Sequence, residues 1–161
     1  MATLQVVQPG TPAAKAVALQ PIIFATDFSP ASDPAFRKAI EMARKEGAEL
    51  IVAHVFEAPA TMSHSGVADD IIEADLEDKI RKDVEKQLEP VLAQARAEGI
   101  RVRGEILEGH APKRLADLAE KNGASLLILG THGRTGLKKL VIGSIASQVI
   151  ATAPCPVLTI R

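Results

Sequence analysis

Four short runs, Ile22-Ile23-Phe24-Ala25, Leu50-Ile51-Val52-Ala53-His54-Val55-Phe56, Leu126-Leu127-Ile128-Leu129 and Val157-Leu158-Thr159-Ile160, are apolar at nearly every position. A strand with one wet face alternates; a strand apolar throughout must be covered on both sides. The stretches between them supply the cover. Phe36, Ala39, Ile40 and Ala43 keep helical spacing up to Gly47, with Ser29 or Ser32 as a candidate cap and Pro34 leaving the start open by about one turn. Over residues 67–98 the apolar positions 72, 76, 80, 84, 88, 92 and 95 stay in helical register, and Pro90 is expected to kink or divide that helix. A third helix runs from Ala111 to about Lys121, with Pro112 in its first turn. A last one carries Ile145, Val149, Ile150 and Ala153. Ile100, Val102 and Ile106 alternate with Arg101, Arg103 and Glu105, the pattern of a half-exposed edge strand.

Strands alternating with helices imply right-handed crossovers and a parallel sheet. The expected fold is α/β: a doubly wound five-stranded parallel sheet of order 3-2-1-4-5, in a Rossmann-like α/β/α sandwich. In that order the winding reverses between the first and fourth strands, and ligands bind outside the carboxyl ends of the strands at the reversal.

The 161 residues, 47% apolar, suit one domain. It is expected over residues 20–161, after a flexible tail over residues 1–19 that contains Pro9, Gly10 and Pro12. Nineteen basic residues against twenty acidic ones give a net charge of -1, so no global field gathers nucleic acid or anionic lipid. The absence of Trp and Tyr also removes the usual platforms for stacked bases. The lone Cys155, between Pro154 and Pro156, forms no internal disulfide and reads as a structural thiol in a reducing compartment. The first twenty residues carry one Lys and no continuous apolar block, matching neither a signal peptide nor a membrane anchor. A cytoplasmic protein with no membrane and no nucleic-acid partner is expected.

Two loops meet at the expected switch point. Thr26-Asp27-Phe28-Ser29 follows the first strand; Gly130-Thr131-His132-Gly133-Arg134-Thr135-Gly136 follows the fourth, and Gly143-Ser144 opens the last helix. Glycines there let backbone approach a ligand closely, and the free N–H groups of a helix start suit a phosphate. The segment is neither the Walker pattern nor the dinucleotide fingerprint. Plainer roles stand beside these: a loop capped by Gly143-Ser144, Asp27 as a helix cap, His54 as a hydrogen-bonded core imidazole, and Lys138 and Lys139 as solvated charges. The acidic stretch from residue 69 to 78, with six acidic and no basic side chains, fits a helix start.

The spacing Gly130-x2-Gly133-x9-Gly143-Ser144, between a fourth strand and a last helix, resembles the ATP-binding motif of universal stress proteins. Thr26-Asp27-Phe28-Ser29, His54-Val55, Gly109 with Pro112, and Pro154-x-Pro156-Val157 are similar to that family too, so the resemblance covers residues 20–161. It implies that Ala25, Thr26 and Asp27 line the adenine and ribose end, that Val55 contacts adenine, and that Leu129 packs near the base. Gly130, Gly133, Gly143 and Ser144 correspond to ribose and phosphate contacts, bordered by His132, Arg134 and Ile145. The implied ligand is ATP or a related adenine nucleotide, with Mg2+ or Mn2+ held mainly by the phosphates. It also implies a homodimer through the last strand, whose apolar edge lacks a charge, and a protein partner whose identity is open. The function that follows is a nucleotide-dependent regulatory or stress-response module. The alternatives are a slow ATPase or nucleotidyl-transfer enzyme, for which Asp27, His132 and Arg134 are the candidate groups, and an interaction protein with a vestigial pocket.

Overall fold

Strand β1 (Ile22–Ala25) occupies the centre of a five-stranded sheet, pairing in parallel with β2 (Leu50–Phe56) on one side and with β4 (Leu126–Gly130) on the other. The computed structural model of the protein describes residues 19–57, 67–131 and 143–161, and of residues 67–74 the backbone alone. Strand β3 (Val102–Glu108) pairs with the outer side of β2, and β5 (Val157–Ile160) with the outer side of β4. The order is β3-β2-β1-β4-β5, the one expected for the nucleotide-binding version of this layout, and every pairing is parallel, as the alternation of strands and helices implies.

The two-residue period of a strand sorts the apolar runs onto two faces. Ile22, Phe24, Leu50, Val52 and Ile128 point to one core, where α1 (Asp33–Glu46) contributes Ala35, Phe36, Ala39, Ile40 and Ala43 and α2 (Val67–Ala97) contributes Leu88, Leu92 and Ala95. Ile23, Ile51, Ala53, Leu127 and Leu129 point to the other. That core is closed by Leu115, Leu118 and Ala119 of α3 (Ala111–Asn122) and by Ala146 and Val149 of α4 (Ser144–Thr152). Both faces are dry, which is why the central strands carry no alternation.

Helix α1 begins at Asp33, after a short 3-10 turn over Pro30–Ser32, and ends at Gly47, whose φ of +64° lets its N–H reach the carbonyls of Ala43 and Arg44. The caps expected of Ser29 or Ser32 are not made by their hydroxyls. Ser32 is itself helical (φ −84°, ψ −13°), and its Oγ donates back to the Ser29 carbonyl at 2.7 Å. Nor does Pro90 divide α2. It lies on the exposed side of one continuous helix, where water can take the carbonyl its missing N–H would have bonded, while Leu88 and Leu92 keep the buried stripe packed. β3 is an edge strand, half-buried along its whole length. The tail expected over residues 1–19 lies, apart from Leu19, outside the described residues. Cys155 is half-buried beside the second core, and burial pushes its thiol up, in keeping with an inert structural role. Among the described residues no helix is long and apolar enough to cross a membrane.

Candidate functional site

At the carboxyl end of β1 the chain makes a tight, braced turn. Thr26 continues the strand's bonding, its N–H donating to the Ala53 carbonyl at 2.9 Å, and its side chain is buried. Phe28 takes the left-handed conformation (φ 60°), a position that costs a non-glycine residue about 1 kcal/mol or more. Two contacts hold it there: its N–H donates to Thr26 Oγ1 at 2.9 Å, and its ring stacks on His54 with centroids 4.4 Å apart. His54 Nδ1 lies 2.8 Å from the Thr26 carbonyl oxygen. A carbonyl only accepts, so Nδ1 carries the proton. His54 is thus a hydrogen-bonded imidazole, as expected, yet it stands on a cavity wall rather than deep in the core.

The same turn fixes Asp27. Its Oδ1 accepts from the Ser29 N–H at 3.0 Å and from the Ser29 hydroxyl at 2.6 Å, a local brace that engages one of the two carboxylate oxygens. Asp27 therefore orders the chain ahead of α1 and also faces the crevice between β1 and β4.

The crevice holds a cavity of about 490 Å³ at the topological switch point. Strand ends supply Ala25, Thr26 and Asp27 from β1, Val55 and Glu57 from β2, and Leu129, Gly130 and Thr131 from β4. The opposite wall is the start of α4, with Gly143, Ser144, Ile145 and Ala146. Thr131 and Gly143 meet there, the Gly143 N–H donating to the Thr131 carbonyl at 2.9 Å. Residues 132–142 lie outside the described residues. The first N–H groups of α4 have no acceptor within the helix, which makes this wall a donor surface. The apolar part of the lining, Val55, Leu129 and half-exposed Ile145, suits a flat, weakly polar group, while the donor end suits an anion. Asp27 and Glu57 are the charged residues of the described lining.

Of the residues expected at a site, Ala25, Thr26, Asp27, Val55, Leu129, Gly130, Gly143, Ser144 and Ile145 all line this one cavity. His132, Gly133 and Arg134, with Lys138 and Lys139, lie outside the described residues. Ser32, Ala53, Phe56, Glu57, Ala111, Leu115, Thr131 and Ala146 line it as well and were not expected. Glu57 carries a readable signal, since it directly follows the carboxyl end of a central strand. Ala111 and Leu115 do not: they arrive through the packing of α3. Among the described residues no three His, Cys, Asp or Glu side chains gather as a metal site.

A sequence model of the universal stress protein family matches residues 18–161. The chain belongs to the universal stress protein family. Among its relatives, universal stress protein MJ0531 of Methanocaldococcus jannaschii is 30% identical over 140 residues, spanning 87% of this chain and 81% of that one. Universal stress protein YxiE of Bacillus subtilis is 28% identical over 144 residues, spanning 87% of this chain and 97% of the relative. The solved structure of M. jannaschii protein MJ0577 superposes with a TM-score of 0.78 at 25% identity, covering 89% of this chain and 96% of its own. The universal stress protein of Archaeoglobus fulgidus, solved in complex with dAMP, superposes with a TM-score of 0.63 at 26% identity, covering 89% and 99%.

Proposed function

We propose that this universal stress protein binds an adenine nucleotide, ATP in the first instance, in the switch-point cavity, and acts in the cytoplasm as a nucleotide-dependent regulatory module in a stress response. The observation that carries the reading is the cavity itself: about 490 Å³, apolar on the strand side and bounded at its other end by the N–H groups that open α4. The A. fulgidus relative in complex with dAMP supports an adenine nucleotide as the ligand class. In this reading the base packs between Val55 and Leu129, with Ala25, Thr26 and Asp27 at the adenine and ribose end. The ribose and phosphates lie along Gly130, Gly133, Gly143 and Ser144, bordered by His132, Arg134 and Ile145.

Two carboxylates, Asp27 and Glu57, face the described cavity. Like-charge repulsion favours a pose with the negative tail of the nucleotide at the α4 end, away from them. Mg2+ or Mn2+ would neutralise that tail and would be held mainly by phosphate oxygens, because the described lining provides no set of protein ligands. Hydrolysis is the weaker reading: Asp27, its described candidate group, already has Oδ1 engaged twice by Ser29. Isothermal titration of the purified protein with ATP, ADP, AMP and cyclic AMP tests the binding. Saturable ATP binding with one site per chain is expected, and no heat at millimolar ATP defeats it. Release of ADP or AMP under excess ATP, followed by chromatography, would instead favour the enzyme.

A further inference from the structure

A second cavity, about 280 Å³, opens on the opposite side of Thr26 and Ser32, between the start of α1 and the C-terminal third of α2. The chain has four Phe, and three of them, Phe24, Phe28 and Phe36, line this one space. The wall it shares with the first cavity is made of two buried hydroxyls. Their protons can be followed. Ser32 has one and donates it to the Ser29 carbonyl at 2.7 Å. In the 3.1 Å contact between the two hydroxyls Thr26 must therefore be the donor, and Thr26 Oγ1 in turn accepts the Phe28 N–H. Both protons are spent within the wall, which is left with lone pairs alone to offer a ligand.

The other polar groups agree in sign. Asp33 lies at the mouth, in the first turn of α1, and it makes no ion pair among the described residues. The rest of the polar lining is the neutral amides of Gln87 and Gln94, and none of the described lining is cationic. Aromatic rings, a carboxylate and acceptor-only hydroxyls form the surroundings that attract an organic cation and repel an anion. The space is at or below the low end of small-molecule sites, which begin at about 300 Å³, so it suits one ring rather than a nucleotide.

We propose that this cavity is a binding site for a small aromatic amine, an ammonium group carried on a single-ring body. The ring lies among Phe24, Phe28 and Phe36, and the ammonium donates to Asp33. The site is separate from the nucleotide cavity and its test needs no nucleotide.

The experiment is fluorine NMR of the full chain labelled with fluorophenylalanine, titrated with phenethylamine and, as a control of the same shape and opposite charge, phenylpropionate. Phenethylamine is expected to move the resonances of Phe24, Phe28 and Phe36 in the millimolar range and to leave Phe56, which lines the other cavity beneath Arg81, in place. Asp33→Asn, an exposed change that leaves the core intact, should weaken the amine by roughly fivefold, and Val91→Trp should abolish the shifts by filling the space. Three resonances that stay still, shifts of equal size with phenylpropionate, or an affinity unchanged in Asp33→Asn would each overturn the site.

Discussion

At Gly143 the backbone torsions (φ −59°, ψ 154°) are open to any residue, so the reason for glycine lies in space. A Cβ there would stand 3.1 Å from the Thr131 carbonyl oxygen, the same oxygen that accepts the Gly143 N–H. Gly143→Ala must push the two backbones apart by a few tenths of an ångström and carry the first N–H groups of α4 with them. ATP affinity measured by isothermal titration should fall about tenfold, equivalent to about 1.4 kcal/mol, while stability to urea falls by about 1 kcal/mol or less. Unchanged affinity would remove α4 from the site. Asp27 combines two roles that substitution can separate. Asp27→Asn keeps the acceptor that braces Ser29 but loses the charge, so it should fold normally and bind nucleotide more weakly. Asp27→Ala also strands the part-buried Ser29 N–H and should lose a further 1–3 kcal/mol or so of stability. Asp117→Ala, on the exposed face of α3, should alter neither property. If Asp27→Asn binds ATP as the wild type does, Asp27 is a turn brace alone.

Helices and strands were legible where one physical rule acts alone. Ile22 to Ala25 and Leu126 to Leu129 read as central strands because both faces are dry, and Gly47 read as a helix end because glycine readily takes the positive φ, here 64°, that closes a helix. Thr26 to Asp27 and Gly143 to Ser144 were legible as site segments from the same strand order. What could not be read depends on neighbours distant in sequence. Pro90 is tolerated because its carbonyl partner faces water, and Ala111 and Leu115 reach the cavity only because α3 packs over β2. Gly104 is a similar case. In the sequence it is an unexplained glycine inside a strand; in the fold a Cβ there would meet Leu88 Cδ2 at 2.6 Å and Leu92 Cδ1 at 3.2 Å. Both leucines are buried between α2 and the sheet, so neither has room to retreat. Gly104→Ala should cost about 1–3 kcal/mol through overpacking, read from the urea midpoint with nucleotide affinity unchanged. A neutral result would mean that α2 slides freely over β3.

The described sheet has two edges, β3, which carries Arg103 and Glu105, and the uncharged β5, and β5 is where a second copy is expected to join. β5 is short, half-buried throughout and free of charge at all four positions, which leaves it without the usual defences against strand pairing. A two-fold axis beside it would align two copies antiparallel and complete the burial of Val157, Leu158 and Ile160 in one step. The internal ladder says which backbone groups remain for this. The Leu127 N–H donates to the Pro156 carbonyl at 3.0 Å and the Thr131 N–H to the Ile160 carbonyl at 2.8 Å. In a parallel ladder the carbonyls and N–H groups of alternate residues point to the same side, so the N–H groups of Leu158 and Ile160 face β4 while those of Val157 and Thr159 face outward. Thr159→Pro therefore removes a donor from the outer edge and none from the inner one, in a position where an edge strand accepts proline. The wild type should sediment as a dimer at tens of micromolar. Thr159→Pro should sediment as a monomer with nearly the wild-type urea midpoint, and Leu158→Lys should shift in the same direction with some loss of stability, since Leu158 also packs against the first core. A monomeric wild type, or a Thr159→Pro variant that remains dimeric, would show that β5 is not the joining edge.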